Sequence, residues 1–335
     1  HQPASNALVQ VPVNFWTTTP PNFKSSVVML GVRITVYLSP TYLWDFGDGT
    51  KLSSTTRGAP FPNQSITHTY TRTGSYTASL QITWGGTWKA SGATSAVSGG
   101  AIVQNLHTQV KEKVLFWMNQ GKKVALLGGD HSTPLGYYEA LASIHDDFGI
   151  LHLDAHMDLR IAYEGFTYSH ASIMYNALQI PQISKIVQLG IRDFCEQEVA
   201  VVQQAKGRVL VNTDADMKTE NFAGKTWEQQ CDAIIATLPQ KVCISFDIDG
   251  MYQWYAPNTG TPVPGGFSFE QATYLFNKLA ASGKEIIGFD LVEVAPGEND
   301  DWDGNVGARM LFHMCGVLAK NNGMNVGQKI NFQRR

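Results

Sequence analysis

Three things are scarce in this chain. Cysteine is absent until position 195, and the four present, Cys195, Cys231, Cys243 and Cys315, form no close pair. That usage excludes a disulfide scaffold and a thiolate metal knot, and free thiols fit a reducing compartment. Charge is sparse as well: 16% of residues are charged and the formal net charge is −3. There is no basic field for nucleic acid and no acidic tail. Long apolar runs are missing, since none approaches the ~20 residues that a membrane helix needs. The opening HQPASNALVQ lacks the charged-then-apolar pattern of a secretory leader. Neither nucleic acid nor a membrane is therefore expected as a partner. What remains is an ordinary globular composition, 43% hydrophobic over 335 residues, a length that accommodates two domains.

The most informative stretch is LHLDAHMDLR, residues 151–160. Apolar alternation gives way to Asp154, His156 and Asp158. On a strand, residues i, i+2 and i+4 share one face. The spacing aims two carboxylates and an imidazole at one point, which suits a metal ion; the alternative is a solvated polar face.

Residues 1 to about 98 differ in texture from the rest, being rich in Thr, Ser, Gly and Pro with short alternating runs. VVMLGVRITVYL (27–38) reads as two strands broken near Gly31, and YTASLQITW (76–84) as a third. Turn signals lie between, notably Asp48-Gly49 and Thr73-Gly74. Together they indicate a small β-sandwich. YLWDFGDGT (42–50), with THTY (67–70) and GSYT (74–77), resembles the signature of PKD domains across residues 8–90. In that resemblance Trp44 and Phe46 pack inward, Asp48-Gly49 turns tightly, and Asp45 and Asp48 are either turn residues or calcium ligands. PKD domains are mostly extracellular spacers or binding modules. The organisation expected is a PKD-like sandwich at 1–90, a linker at 91–100 with the Gly/Ser/Ala composition of a connector, and a second domain at 101–335.

From Ala101 the pattern becomes alternating helices and strands. A helix over 101–121 carries Val103, Leu106, Val110, Val114 and Trp117 along one face. Strands are expected at 124–129, 149–154, 185–191, 208–213, 242–249 and 285–294, with helices at 226–238, 268–282 and 305–320. This is the pattern of a three-layer α/β domain with a mostly parallel sheet. In such sheets sites form beyond the carboxyl ends of the strands. Four strand ends deliver acids and imidazoles there: His131; Asp154, His156 and Asp158; Asp247 and Asp249; and Glu293. Oxygen donors with two imidazoles and no thiolate suit Mn²⁺ or another borderline divalent ion. Four carboxylates carry a charge of about −4, which two divalent cations would balance.

GGDHS, LDAHMDLR, SFDID, APNTGTPVPGG and DLVEVAPG, in that order, resemble the ureohydrolase family of arginases, agmatinases, guanidinobutyrases and formimidoylglutamases, over about 101–325. The resemblance implies two Mn²⁺ ions. His131, Asp154, Asp158 and Asp247 would hold one; Asp154, His156, Asp247 and Asp249 the other. It implies attack of a metal-bridging hydroxide on a guanidino or formimino carbon, releasing urea or formamide. His170 would be the proton shuttle, Glu293 would hold the substrate's cation, and Thr259 would line the substrate site. Arg160 either backs the ligands or meets a substrate carboxylate, and DAHMDLR is a form seen in formimidoylglutamase-like members. His152 shares parity with Asp154 and can stand behind it, whereas His145 and His313 read as structural. A cytoplasmic homo-oligomer assembled through this domain is implied, with an extracellular location if the PKD-like part dictates it.

Three departures stand out. Gly250-Met251-Tyr252-Gln253 replaces the family's Gly-Leu-Asp-Pro. Cys195 stands where arginases carry an acid that binds the substrate's α-amino group, which argues against L-arginine. The family's usual first strand is not recognisable. The competing reading is a non-catalytic binding or surface protein whose hydrolase part is truncated and inactive.

Overall fold

A computed structural model describes residues 9–29, 32–90, 93–297 and 300–324. The chain divides into two compact units, 1–102 and 103–335.

The first unit is antiparallel β throughout. Strand β1 (Pro12–Asn14) pairs with β5 (Thr67–Thr69). A second sheet runs β2 (Phe23–Met29), β3 (Val32–Asp45), β6 (Ser79–Ala90), β7 (Ala93–Ser98), with β4 (Lys51–Ser54) also on β3. Met29 stands opposite Val32, so the run 27–38 is a hairpin; Gly31 lies outside the described residues. Alternation on β3 turns Tyr42 and Trp44 inward, and with Phe46, Val13, Phe15 and Ile66 they form a small core. In the turn, Asp45 and Asp48 accept the amides of Gly47 and Thr50 at 3.0 Å each. Lys51 and His68 then engage the remaining carboxylate oxygens at 2.9 and 2.7 Å, so both acids are occupied by the chain's own side chains. Within the segment expected as a linker, 91–100, the described residues form β7, paired with β6, and the start of the first helix.

The second unit is a six-stranded, wholly parallel sheet in the order β11-β10-β9-β12-β13-β8. Its strands are β8 (Ala125–Leu127), β9 (Phe148–Leu153), β10 (Ile183–Ile191), β11 (Val209–Thr213), β12 (Lys241–Asp247) and β13 (Glu285–Val292). The helices are α1 (Gly99–Met118), α2 (Leu135–Ala142), α3 (Ile173–Leu178), α4 (Glu196–Gln204), α5 (Asp214–Phe222), α6 (Trp227–Thr237), α7 (Phe269–Ala281) and α8 (Trp302–Asn321). Side-chain alternation sends Leu151 and Leu153 into a core with α5–α8, and Phe148 and Ile150 into one with α1–α4. That makes the three layers. Ser268 and Gln271 cap the start of α7 reciprocally, as Thr226 and Gln229 do for α6. The apolar face of α1 matches the expected one in part. Val114 is buried and Val110 packs against the same core, but Trp117 is 41% exposed and His107 is buried where α2 comes close at Gly136.

Chain order fixes where a site can form. From β9 the chain builds outward through β10 and β11, then returns and builds the other way through β12 and β13. The crevice between the ends of β9 and β12 is therefore a topological switch point. Among the described residues, β8 ends the sheet with nothing paired to its outer edge, and it is only three residues long. A short edge limits the hydrogen-bonding surface left open where a further strand was expected.

Candidate active site

Asp154 follows the last residue of β9, and Asp247 ends β12, the neighbouring strand. Their side chains meet over the switch point with His131, from the loop after β8. His131 Nδ1 lies 3.1 Å from Asp154 Oδ2 and 3.2 Å from both Asp158 Oδ2 and Asp247 Oδ2. On the other side of Asp154, His156 Nδ1 lies 3.3 Å from Asp154 Oδ1 and 3.1 Å from Asp249 Oδ2. The two oxygens of Asp154 thus face two different imidazoles. All six side chains expected to bind metal come together here, in two clusters joined at Asp154. Asp249 is steadied by the amide of Ala155 at 3.0 Å, and its own amide bonds Asp247 Oδ1 at 2.9 Å.

The electrostatics of the bare cluster are those of a cation site. Burial pushes Asp158 up to about 7, Asp247 well above the ordinary carboxylate value and Asp249 above it, with mutual repulsion adding to each. At Asp154 burial is outweighed by three imidazoles, which hold it well below that value. Burial opposes a proton on His131 and His156, but the carboxylates prevail; His131 is raised well above the usual histidine value and His156 to about 11. His131 Nδ1 is buried without a hydrogen-bond partner, ringed by carboxylate oxygens. Ligand atoms about 3 Å apart are what divalent ions with bonds of about 2.1 Å require. The residues present therefore fit a pair of divalent ions.

Glu293 leaves the end of β13 with φ +61°, a left-handed conformation rare for a side-chain-bearing residue. Asp158 is the other residue of the cluster in that region, at φ +55°. Such strain costs on the order of 1–3 kcal/mol and survives only where surroundings impose it. Here the Glu293 amide donates to Gly129 O at 2.8 Å and its carbonyl accepts the Thr259 hydroxyl at 3.0 Å. Glu293 Oε1 accepts the His131 amide at 2.7 Å, and burial raises the acid's pKa. Thr259, expected to line the substrate site, donates its hydroxyl to the main chain of Glu293. His170 opens a short 3₁₀ turn capped by Ser169, with its ring 5.6 Å from Tyr163. Among the described residues, no hydrogen bond or ion pair joins His170 to the carboxylates. Arg160 lies over the Tyr163 ring at 5.1 Å and 3.8 Å from the buried carboxylate of Glu198.

Two supports of the cluster escaped the sequence reading. Gln188 donates to His152 Nδ1 at 3.0 Å and to Met157 O at 2.6 Å. The proton of His152 therefore sits on Nε2 and goes to Asp154 Oδ2 at 2.9 Å, so this imidazole backs the carboxylate and does not bind an ion. Arg192 directs its guanidinium at the carbonyls of Asp249, Met251, Val263 and Gly190, at 2.6–3.3 Å, tying the loop after β12 to β10. With Met251 buried and paired with Phe267, this loop is held without the acid and proline usual there. A lone Arg before Asp193 gave no signal in sequence, because a clamp on main-chain carbonyls imposes no pattern on the residues it grips.

Comparison with known proteins agrees with this geometry. A family model described as the arginase family matches residues 48–316, beginning inside the segment that resembles a PKD module. The N(1)-aminopropylagmatine ureohydrolase of Thermus thermophilus is 31% identical over 217 residues, covering 64% of this chain and 69% of that protein. A guanidinobutyrase of Pseudomonas aeruginosa is 31% identical over 206 residues, covering 57% and 59%. The solved structure of an agmatine ureohydrolase from Thermoplasma volcanium superposes with a TM-score of 0.56 at 26% identity, over 66% of this chain and 71% of that one. With a model match over well more than half its length and two His/Asp clusters at the switch point, the chain belongs to the arginase family, as a ureohydrolase-type hydrolase carrying the residues of a two-metal site.

Proposed function

We propose that the protein is a binuclear manganese hydrolase that cleaves a C–N bond of a linear guanidino compound and releases urea. The observation that carries this reading is Asp154, whose two carboxylate oxygens face separate imidazoles, His131 and His156, as a bridge between two ions requires. His131, Asp154, Asp158 and Asp247 would hold one ion; Asp154, His156, Asp247 and Asp249 would hold the other. When bound, such a pair lowers the pKa of a water and polarises the substrate. The chain's own residues do the rest. Glu293 pairs with the guanidinium and orients it, its geometry set by Gly129, Thr259 and the His131 amide. His170, on the loop after Asp158, protonates the departing amine.

Arg160 bears on the choice of substrate. Its guanidinium is taken up by Tyr163 and Glu198, which counts against capture of a substrate carboxylate and so against a formimino amino acid. The names of the relatives point the same way, to guanidino compounds with amine or short acid tails. Convergence of all six ligands also argues against an inactive, truncated domain. The N-terminal unit fits a PKD-like spacer, through its buried Trp44 and Phe46 and the Asp48-Gly49 turn. No helix among the described residues is long and apolar enough to cross a membrane. A cytoplasmic homo-oligomer formed through the second unit completes the proposal.

The test is a urea-release screen over agmatine, aminopropylagmatine, guanidinobutyrate, arginine and formimidoylglutamate (the last read as formamide), run beside metal analysis. About two Mn²⁺ per chain and urea from a guanidino compound are expected. Less than one ion per chain after Mn²⁺ loading, with no urea, would sink the proposal.

A further inference from the structure

Four adjacent strands each contribute one polar side chain at the same level of the sheet: Gln188 from β10, His152 from β9, Ser245 from β12 and Asp290 from β13. The strand register pairs Gln188 with His152, His152 with Ser245, and Ser245 with Asp290. All four have zero solvent exposure. Polar groups in the middle of a buried sheet cost stability unless they are bonded, and an apolar row would pack as well. The row lies two residues before Asp154 on β9 and two before Asp247 on β12, directly beneath the ligand set.

Bonds rise from the row to the ligands at two points. At one end Gln188 and His152 brace Asp154, as described above. At the other, His131 Nε2 lies 3.0 Å from Ser245 Oγ, and Ser245 Oγ lies 2.9 Å from Asp290 Oδ1. Tyr138, from α2, donates to Asp290 Oδ2 at 2.9 Å and keeps that carboxylate in place. A hydroxyl has one proton, and Asp290 takes it. Ser245 Oγ is then an acceptor toward His131, whose proton must sit on Nε2. Nδ1 is the nitrogen left to face Asp154, Asp158 and Asp247, and the one that would bind an ion there in place of a proton. Among the described residues His156 has no such buried support: its Nε2 faces the exposed Asp193 at 3.8 Å.

We infer that the Ser245–Asp290 pair, anchored by Tyr138, is a positioning device for one of the two ions, the one held by His131, and does not act on the ion held by His156. It sets the tautomer and ring orientation of His131 through hydrogen bonds alone, as partners behind metal-binding imidazoles do. The inference rests on the proposed metal role of His131.

Calorimetric titration of full-length Ser245→Ala and Asp290→Asn with Mn²⁺ tests it. The wild type should take up two ions. Each variant should bind one ion with wild-type affinity and the other about 10- to 100-fold more weakly. Asp290→Asn is nearly isosteric and carries the test alone if Ser245→Ala does not fold. Wild-type affinity for both ions in the variants, even with a less stable apo fold, would make the row purely structural and overturn the inference; so would equal weakening of both ions. A wild-type chain that binds no Mn²⁺ would instead overturn the proposed function, so the two failures are distinguishable.

Discussion

Asp154 concentrates more of the site than any other residue. Its Oδ2 meets His131 and His152, its Oδ1 meets His156, and it is fully buried. Asp154→Ala should therefore remove both ions together, from about two per chain to below one, and abolish urea release. Metal analysis after Mn²⁺ loading checks this; one ion retained at full occupancy would mean that Asp154 does not bridge. Glu293→Gln asks a different question. The amide oxygen can still accept the His131 N–H, so fold and metal content should stay intact. What is lost is the charge opposite a guanidinium, worth about 1.5–3 kcal/mol, so kcat/KM should fall roughly 10- to 100-fold. Unchanged kcat/KM at full metal occupancy would place the substrate's cation elsewhere.

At the scale of elements, most of the second unit was legible because its strands are short apolar runs ending in acids. Period and punctuation located all six strands and the helices α6–α8, and the acids at strand ends located the metal cluster. What was not legible depends on register between strands. The row of Gln188, His152, Ser245 and Asp290 is spread over more than a hundred positions; parity could place His152 behind Asp154, but nothing in the sequence joins it to the other three. One position on the buried face of α1 was missed for a related reason. His107 occupies the face where an apolar residue was sought, bonding Ser132 O at 2.9 Å, next to His131 in the chain, and stacking edge-on with Tyr168. Burial lowers the pKa of His107 below the ordinary histidine value near 6.5. The folded state then binds this proton less readily than the unfolded one. The contribution to stability is full above about 6.5 and is lost as pH falls from there toward the depressed folded value. Urea unfolding at pH 7.5 and pH 5.5 should show a smaller acid-induced loss of stability in His107→Asn than in the wild type. Equal losses would show that the ring is not held neutral by its burial.

On the scale of the whole chain, each unit has its own core: Trp44, Phe46 and their neighbours in the first, the two sheet-face clusters in the second. Every residue of the metal cluster lies between 131 and 249, inside the second unit. Unfolding of a chain built this way is not expected to be two-state. A ligand stabilises only the part whose unfolding releases it, by about 2.7 kcal/mol for one ion at a hundred times its dissociation constant. For a unit of this size, roughly 2–4 °C of melting temperature accompanies each kcal/mol, so one ion should raise its transition by about 5–10 °C. Scanning calorimetry of the full chain with and without Mn²⁺ should thus resolve two transitions, of which one moves and the other stays. The transition that moves should be lost as a responder in Asp154→Ala, while the stationary one keeps its temperature. If both transitions climb together with Mn²⁺, the units unfold as one and the N-terminal β region is part of the hydrolase's folding unit, in keeping with a family match that begins at residue 48.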